Sequence, residues 1–248
     1  KVVLRSEIFA RLKAAGHKLV LLIRGKSRLE YYQKEFKSEQ VAVELLPHAM
    51  TLAEHLWYHI ARNSLPTHAV AMRSYRESFE KGKYVRYILE RTLSHLARVR
   101  LWREFLRMVY RLTGRSLAVD LFEKYKPDLL FAHNMFSPDD CRLLLTAKRR
   151  GVKTITSAKS WDVLTTKAFT RVKADLMMVY NPFNEEEAIV IGDYPKEHLL
   201  VTGFPQFDAY ARVPKGEEGR DDFMRSMGLD REKRLILMGI PGDWLTPY

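Results

Sequence analysis

Residues 138–156 read PDDCRLLLTAKRRGVKTIT, and the fold is decided on this stretch. A helix-length run closes on Gly151, where a left-handed residue can turn the chain, and a short apolar strand follows at once. The same phrase stands near the start. In VVLRSEIFARLKAAG (2–16), Val3, Ile8, Leu12 and Ala15 form an approximate helical stripe that ends on Gly16. HKLVLLI (17–23) follows as a continuous apolar strand of the kind covered on both faces. Further strands are expected at 41–46, 128–132, 175–180, 198–203 and 234–240. Helix-length segments separate most of them, such as NEEEAIVIGDYP (184–195), with acids in its first turn and Pro195 at its stop. Helices alternating with buried strands predict an α/β fold: a Rossmann-like, doubly wound parallel sheet.

Two departures shape the domain plan. Residues 47–126 form a long helical insertion where a short crossover would suffice. VPKGEEGR (213–220) reads as an exposed linker. The expectation is therefore a Rossmann-like domain over 1–212, a linker and helix over 213–233, and at 234–248 the first strand of a second domain. The opening helix has no strand before it, so the first strand of the sheet is also expected to lie outside the chain.

The chain has 248 residues, 46% of them hydrophobic and 29% charged, which fits a globular protein and not a disordered one. Its apolar runs are too short to span a bilayer. The single Cys141 excludes an internal disulfide and, with no signal peptide in view, points to a cytosolic setting. A net charge of +12 implies an anionic partner. The cations concentrate at 83–115, where nine Lys/Arg meet only Glu90 and Glu104. Val85, Ile88 or Leu89, Leu93 or Thr92, Leu96, Val99 and Leu106 run as a helical stripe there, continued by Val109 and Leu112. That helix either packs into the core with a solvated basic face or lies on an anionic membrane with Trp102, Phe105 and Tyr110 at the interface. The protein would then be peripheral on the inner face of the membrane. Nucleic acid is the weaker partner class, for want of a recognised module or a stacking set of aromatics.

In open α/β sheets, ligands bind beyond the carboxyl ends of the strands. Three such turns carry polar groups. AHNMFSPDD (132–140) offers His133 and Asn134, with Ser137 or Asp139 as the cap of the next helix. SAKSWDVLTTKAF (157–169) offers Trp161 as a wall or stacking surface and Asp162 as acceptor or base. Thr165, Thr166 and Lys167 there could contact hydroxyls or phosphate oxygens. TGFPQFDAY (202–210) turns at Gly203 and Pro205. His55 and His59, four apart on a helix, lack a third ligand and are not read as a metal site.

The order SWDVLTTK, strand DLMMVYN, acid-rich helix, LLVTGFPQFDAY, linker and new strand resembles glycosyltransferases of the GT-B type. Within these it is most similar to bacterial surface-polysaccharide and glycolipid transferases and their relatives, the nucleotide-sugar 2-epimerases. The pattern has WDN followed by two threonines, Lys and Gly. Trp161, Asp162, Thr165, Thr166 and Lys167 match it, while Val163 and Ala168 depart. Val201 to Asp208, with Gly203 and Gln206, matches the turn toward the interdomain linker. The resemblance implies an N-terminal acceptor-side domain, with the nucleotide-sugar held mostly by residues beyond Tyr248. It implies no metal or other cofactor, and Asp162 or His133 as the base that takes the acceptor proton. Lys167 would contact phosphate. The acceptor would be a saccharide or a lipid-linked sugar. An epimerase or phosphotransferase on the same fold, and a non-catalytic domain that binds anions or membranes, are the alternatives.

Overall fold

The computed structural model describes residues 4, 7–47, 50–204, 207–208 and 217–236. The chain divides into two compact units, Lys1–Pro205 and Gln206–Tyr248.

The first unit alternates helix and strand: α1 (Glu7–Ala14), β1 (Leu19–Arg24), α2 (Lys26–Phe36), β2 (Val41–Leu46). After an insertion it resumes with β3 (Leu129–Ala132), α8 (Pro138–Arg149), β4 (Lys153–Ser157), α9 (Val163–Thr166), β5 (Leu176–Val179), α10 (Pro182–Val190) and β6 (Leu199–Val201). Both helix-to-strand phrases turn on glycines in the left-handed region, Gly16 at φ 80° and Gly151 at φ 70°. Every strand pairing is parallel, so the α/β class expected from the sequence is observed. The single continuous sheet is not. β1 and β2 form one sheet and β3-β4-β5-β6 another, with no backbone pairing between them. They are joined by side chains instead. Leu46 of β2 packs with Leu117, Phe122, Leu143 and Ala147, and Leu22 and Leu130 lean on the same cluster. At the carboxyl end of β1, Arg24 binds Asp139 (3.0 Å) and Asp140 (2.7 Å) at the start of α8.

Among the described residues the helical insertion is present as five α-helices, α3 (Leu52–Asn63), α4 (His68–Ser74), α5 (Tyr84–Leu96), α6 (Arg100–Thr113) and α7 (Val119–Tyr125), with a π-helical turn, Tyr75–Phe79, continuing α4. The single basic helix expected over 83–115 is broken at Ala97–Val99 into α5 and α6. Its stripe is also largely inverted. Val85, Ile88, Leu89 and Leu112 are exposed, whereas Glu90, Ser94, Arg103 and Arg107 are buried. Trp102 is half-buried, packed against the Leu65–Leu106–Phe169 cluster, and Tyr110 is fully buried, leaving only Phe105 of the three expected interfacial aromatics exposed.

The inversion is tolerated because Glu90, Ser94, Arg103 and Arg107 each have a partner. Glu90 accepts from Ser78 (2.8 Å) and Arg86 (2.8 Å). Ser94 donates to the Leu65 carbonyl at 2.8 Å. Arg103 and Arg107 converge on Asp193, which lies between α10 and β6: Arg103 Nε donates to Oδ2 at 2.7 Å and Arg107 Nη2 lies 2.8 Å from the same oxygen. Arg107 also donates to the carbonyls of Thr170 and Gly192, both at 3.0 Å, and lies 4.6 Å over the Phe169 ring. Burial raises the Asp193 carboxyl, but its bonds to the two guanidinium groups outweigh that and hold it below the ordinary carboxylate value.

In the second unit, helix α11 (Glu217–Ser226) buries Met224, and Arg220 donates to the Arg231 and Lys233 carbonyls at 3.1 and 2.9 Å. Of the strand expected at 234–240, residues 234–236 have no regular structure and the rest lie outside the described residues. The linker expected over 213–220 lies outside them as far as residue 216, and 217–220 belong to α11.

Asp193 sits at φ 58°, a conformation that asparagine tolerates, so Asp193→Asn removes charge without straining the backbone. It leaves two buried guanidinium groups uncompensated, and urea denaturation is expected to register a loss of about 3–5 kcal/mol. Because the carboxyl is depressed in the folded state, its stabilising effect is present above the ordinary carboxylate pKa and fades as pH falls below it. The gap between wild type and variant should therefore narrow in acid.

Candidate functional site

The carboxyl ends of β3 to β6 are cross-linked side by side. His133, just past β3, has Nδ1 3.0 Å from Ser157 Oγ at the end of β4, and that hydroxyl lies 3.2 Å from the His133 carbonyl. When the hydroxyl donates to the carbonyl, Nδ1 must donate to Oγ, and Nε2 is left with its lone pair. Burial lowers the imidazole pKa, against the pull of Asp140, which favours the neutral ring. Beyond β5, the Tyr180 hydroxyl donates to the Ala158 carbonyl, and burial pushes its pKa up to about 12. Phe204, past β6, stacks on the Tyr180 ring at 3.5 Å between centroids.

The segment from Trp161 to Lys167 crosses this edge. Its apolar members face inward: Val163, Leu164, Ala168 and Phe169 are buried. Val163 and Ala168, the two departures from the resemblance, thus fill the core, where small or branched apolar residues suit the packing. The segment is held largely through main-chain carbonyls. Thr67 Oγ1 donates to the Thr165 carbonyl (2.7 Å) and Arg73 Nη1 to the Thr166 carbonyl (2.8 Å). The Phe169 amide donates to the Ala61 carbonyl (2.7 Å), and Asn184 Nδ2 to the Trp161 carbonyl (2.8 Å). Side chains at the crest are correspondingly open: Trp161 is 66% exposed, and Lys167 is exposed without a hydrogen bond or ion pair among the described residues.

The expected roles divide accordingly. Trp161 and Lys167 stand at the strand ends with free side chains. Asp162 is half-buried at the start of α9, and Thr166 Oγ1 lies 3.2 Å from its Oδ2. Thr165 and Thr166 donate their hydroxyls to the Asp162 carbonyl at 3.1 and 2.8 Å, so in this conformation they brace the turn and do not offer those protons to a ligand. Asn134 contributes its amide to Asp140 Oδ2 at 2.9 Å. Ser137, not Asp139, caps α8, its Oγ accepting from the Asp140 amide at 3.1 Å. Gly203 turns at φ 73°, as expected; Pro205 and Gln206 lie outside the described residues.

Sequence reading missed Arg24, Ser157, Tyr180 and Asn184. Arg24 had a visible signal, a charge ending an otherwise apolar strand, and it fixes Asp139 and Asp140 beside His133. Burial raises the Asp140 carboxyl and Arg24 opposes the shift. Among the described residues no three His, Cys, Asp or Glu side chains are grouped to hold a metal ion. His59 packs against Glu90 (3.8 Å) and Asn63, and burial lowers its pKa. A cavity of about 530 Å³ lies elsewhere, by the amino ends of β5 and β6, walled by Lys148, Lys173, Asp175 and Tyr194. No family model, no curated protein and no solved structure matches this chain.

Proposed function

We propose that the chain is the acceptor-side part of a GT-B-type glycosyltransferase that moves a sugar from a nucleotide-sugar to a surface-polysaccharide or lipid-linked acceptor. The observation that carries the reading is the crest at the carboxyl ends of β3 and β4. An exposed indole, a carboxylate and an unpaired ammonium lie there within seven residues, Trp161 to Lys167, in the turn and short helix after β4, whose neighbour β3 ends at His133. An open aromatic face suits the apolar side of a sugar ring, and an ammonium suits a phosphate. A neutral imidazole with a free Nε2, or the Asp162 carboxylate, can take the proton of an attacking hydroxyl. The sheet topology supports the choice of edge, since open parallel sheets bind ligands there.

The test is turnover by the full-length protein with a panel of nucleotide-sugars, with and without saccharide acceptors. Transfer requires an acceptor and survives a chelator; turnover without acceptor would instead identify an epimerase. With His133 as base, the acid limb of the kcat/KM profile lies below the ordinary histidine value of about 6.5, because burial lowers this imidazole. His133→Asn removes that limb and reduces kcat by about 10²–10⁴. If the limb persists in the variant while Asp162→Asn abolishes turnover, the carboxylate is the base. If neither substitution matters, the strand-end site is not catalytic. Lys167→Ala should raise KM for the donor far more than it lowers kcat.

A further inference from the structure

Two helices of the insertion turn part of their apolar surface outward and bury polar groups. α5 buries Glu90 and Ser94 and turns Tyr84, Val85, Ile88 and Leu89 to solvent, with Val85 75% exposed. These residues join neighbours. Tyr84 contacts Phe79, which stacks on Tyr75 at 5.1 Å, and Leu89 and Val85 share a shallow pocket with His59 of α3. One and two turns before His59 on α3 stand exposed Leu56 and Leu52. On α6, Leu101, Phe105, Met108 and Leu112 recur at spacings of four, three and four, all exposed, while Arg103 and Arg107 point inward. The α3–α5 patch and the α6 stripe are each exposed apolar surface of the kind that marks interaction sites.

The charges say what kind. Between residues 81 and 115 the exposed charged side chains are Lys81, Lys83, Arg98, Arg100, Arg111 and Arg115; the acids there, Glu90 and Glu104, are buried or half-buried against Arg86, Arg107 and Lys173. Beside Phe79, Glu80 is exposed, offset by exposed Arg76 and Lys81, and Glu77 is half-buried against Arg62. Aliphatic side chains among which exposed cations outnumber exposed acids in this way match the interface of an anionic bilayer, where acyl chains take the leucines and head groups the lysines and arginines. A second copy of the chain would set like charges against each other across a two-fold interface. RNA or DNA would take the cations but leave the aliphatic groups in water. No helix of the described residues is long and apolar enough to cross a membrane, so the contact would lie in the plane of the surface. We propose that the exposed faces of α3, α5 and α6, with the Tyr75–Phe79 turn, are a monotopic docking surface for anionic lipid. α4, which packs on α5, also holds the Thr165 and Thr166 carbonyls, so the docked surface is mechanically joined to the crest.

This inference does not depend on the transferase reading, and its experiment uses no sugar. The full-length protein is mixed with vesicles of phosphatidylcholine alone or with added phosphatidylglycerol, and the bound fraction is read by sedimentation. Binding is expected to the anionic vesicles, weakened by salt, and weaker by about fivefold for each of Lys83→Glu and Arg98→Glu. Ile88→Asp with Leu101→Asp should reduce it at least tenfold while the circular dichroism stays native, since both side chains are already in water. No binding would overturn the proposal, as would binding that the aspartates leave unchanged. So would a dimer in light scattering that these aspartates dissolve, or a duplex RNA that binds tighter than the vesicles.

Discussion

The buried carboxylate of Asp193 is the fixed point of the first unit. It is placed by a left-handed turn after α10 and meets Arg103 and Arg107 from α6, a helix that the chain completed eighty residues earlier. Taking those guanidinium groups out of water is unfavourable unless each finds an anion and further acceptors. They find them in Asp193 and in the carbonyls of Ala97, Thr170 and Gly192. The consequence is geometric. The loops that frame β5, at 169–173 and 191–194, and the break between α5 and α6 are tied to one node. The insertion therefore cannot shift without moving the segment that carries the crest.

That coupling explains how the crest combines rigidity with free side chains. Its carbonyls are claimed by Thr67, Arg73 and Asn184, and its apolar residues by the core, so the backbone is held without using the indole or the Lys167 ammonium. The two threonines that match the resemblance spend their hydroxyls on the Asp162 carbonyl. A residue pattern can therefore be required for the turn itself and still look like a binding motif in sequence. On the proposed reading, Thr165 and Thr166 position Asp162 and do not touch the ligand.

Much of the α/β architecture was legible because it rests on short-range signals: a glycine after a helix, a run of apolar residues, a proline or asparagine at a cap. The strand positions from 19 to 201 follow from these. The division into two sheets was not legible, because strand pairing is a long-range choice and each of β1 and β3 reads as buried whether or not a neighbour completes it. Arg24, Ser157 and Tyr180 were missed for a related reason. Their partners lie 116, 24 and 22 residues away; a charge ending an apolar strand marked Arg24, but nothing local pointed to its partners or set Ser157 and Tyr180 apart from ordinary strand-end residues.

The reading of 83–115 fails in a more instructive way. Helical period separates two faces but carries no sign; assigning the apolar face to the interior assumes that polar groups inside would go unpaired. Here they do not. Glu90 has Ser78 and Arg86, Ser94 has a carbonyl, and Arg103 and Arg107 have Asp193. Once those pairs exist, part of the polar face can be buried, and Val85, Ile88, Leu89, Leu101 and Leu112 are left outside while Leu106 stays in the core. An inverted helix in water is costly by about 25 cal/mol for each Å² of apolar surface left exposed. On the proposed docking reading, the apolar side chains that α5 and α6 leave outside meet acyl chains instead of water, which removes that cost.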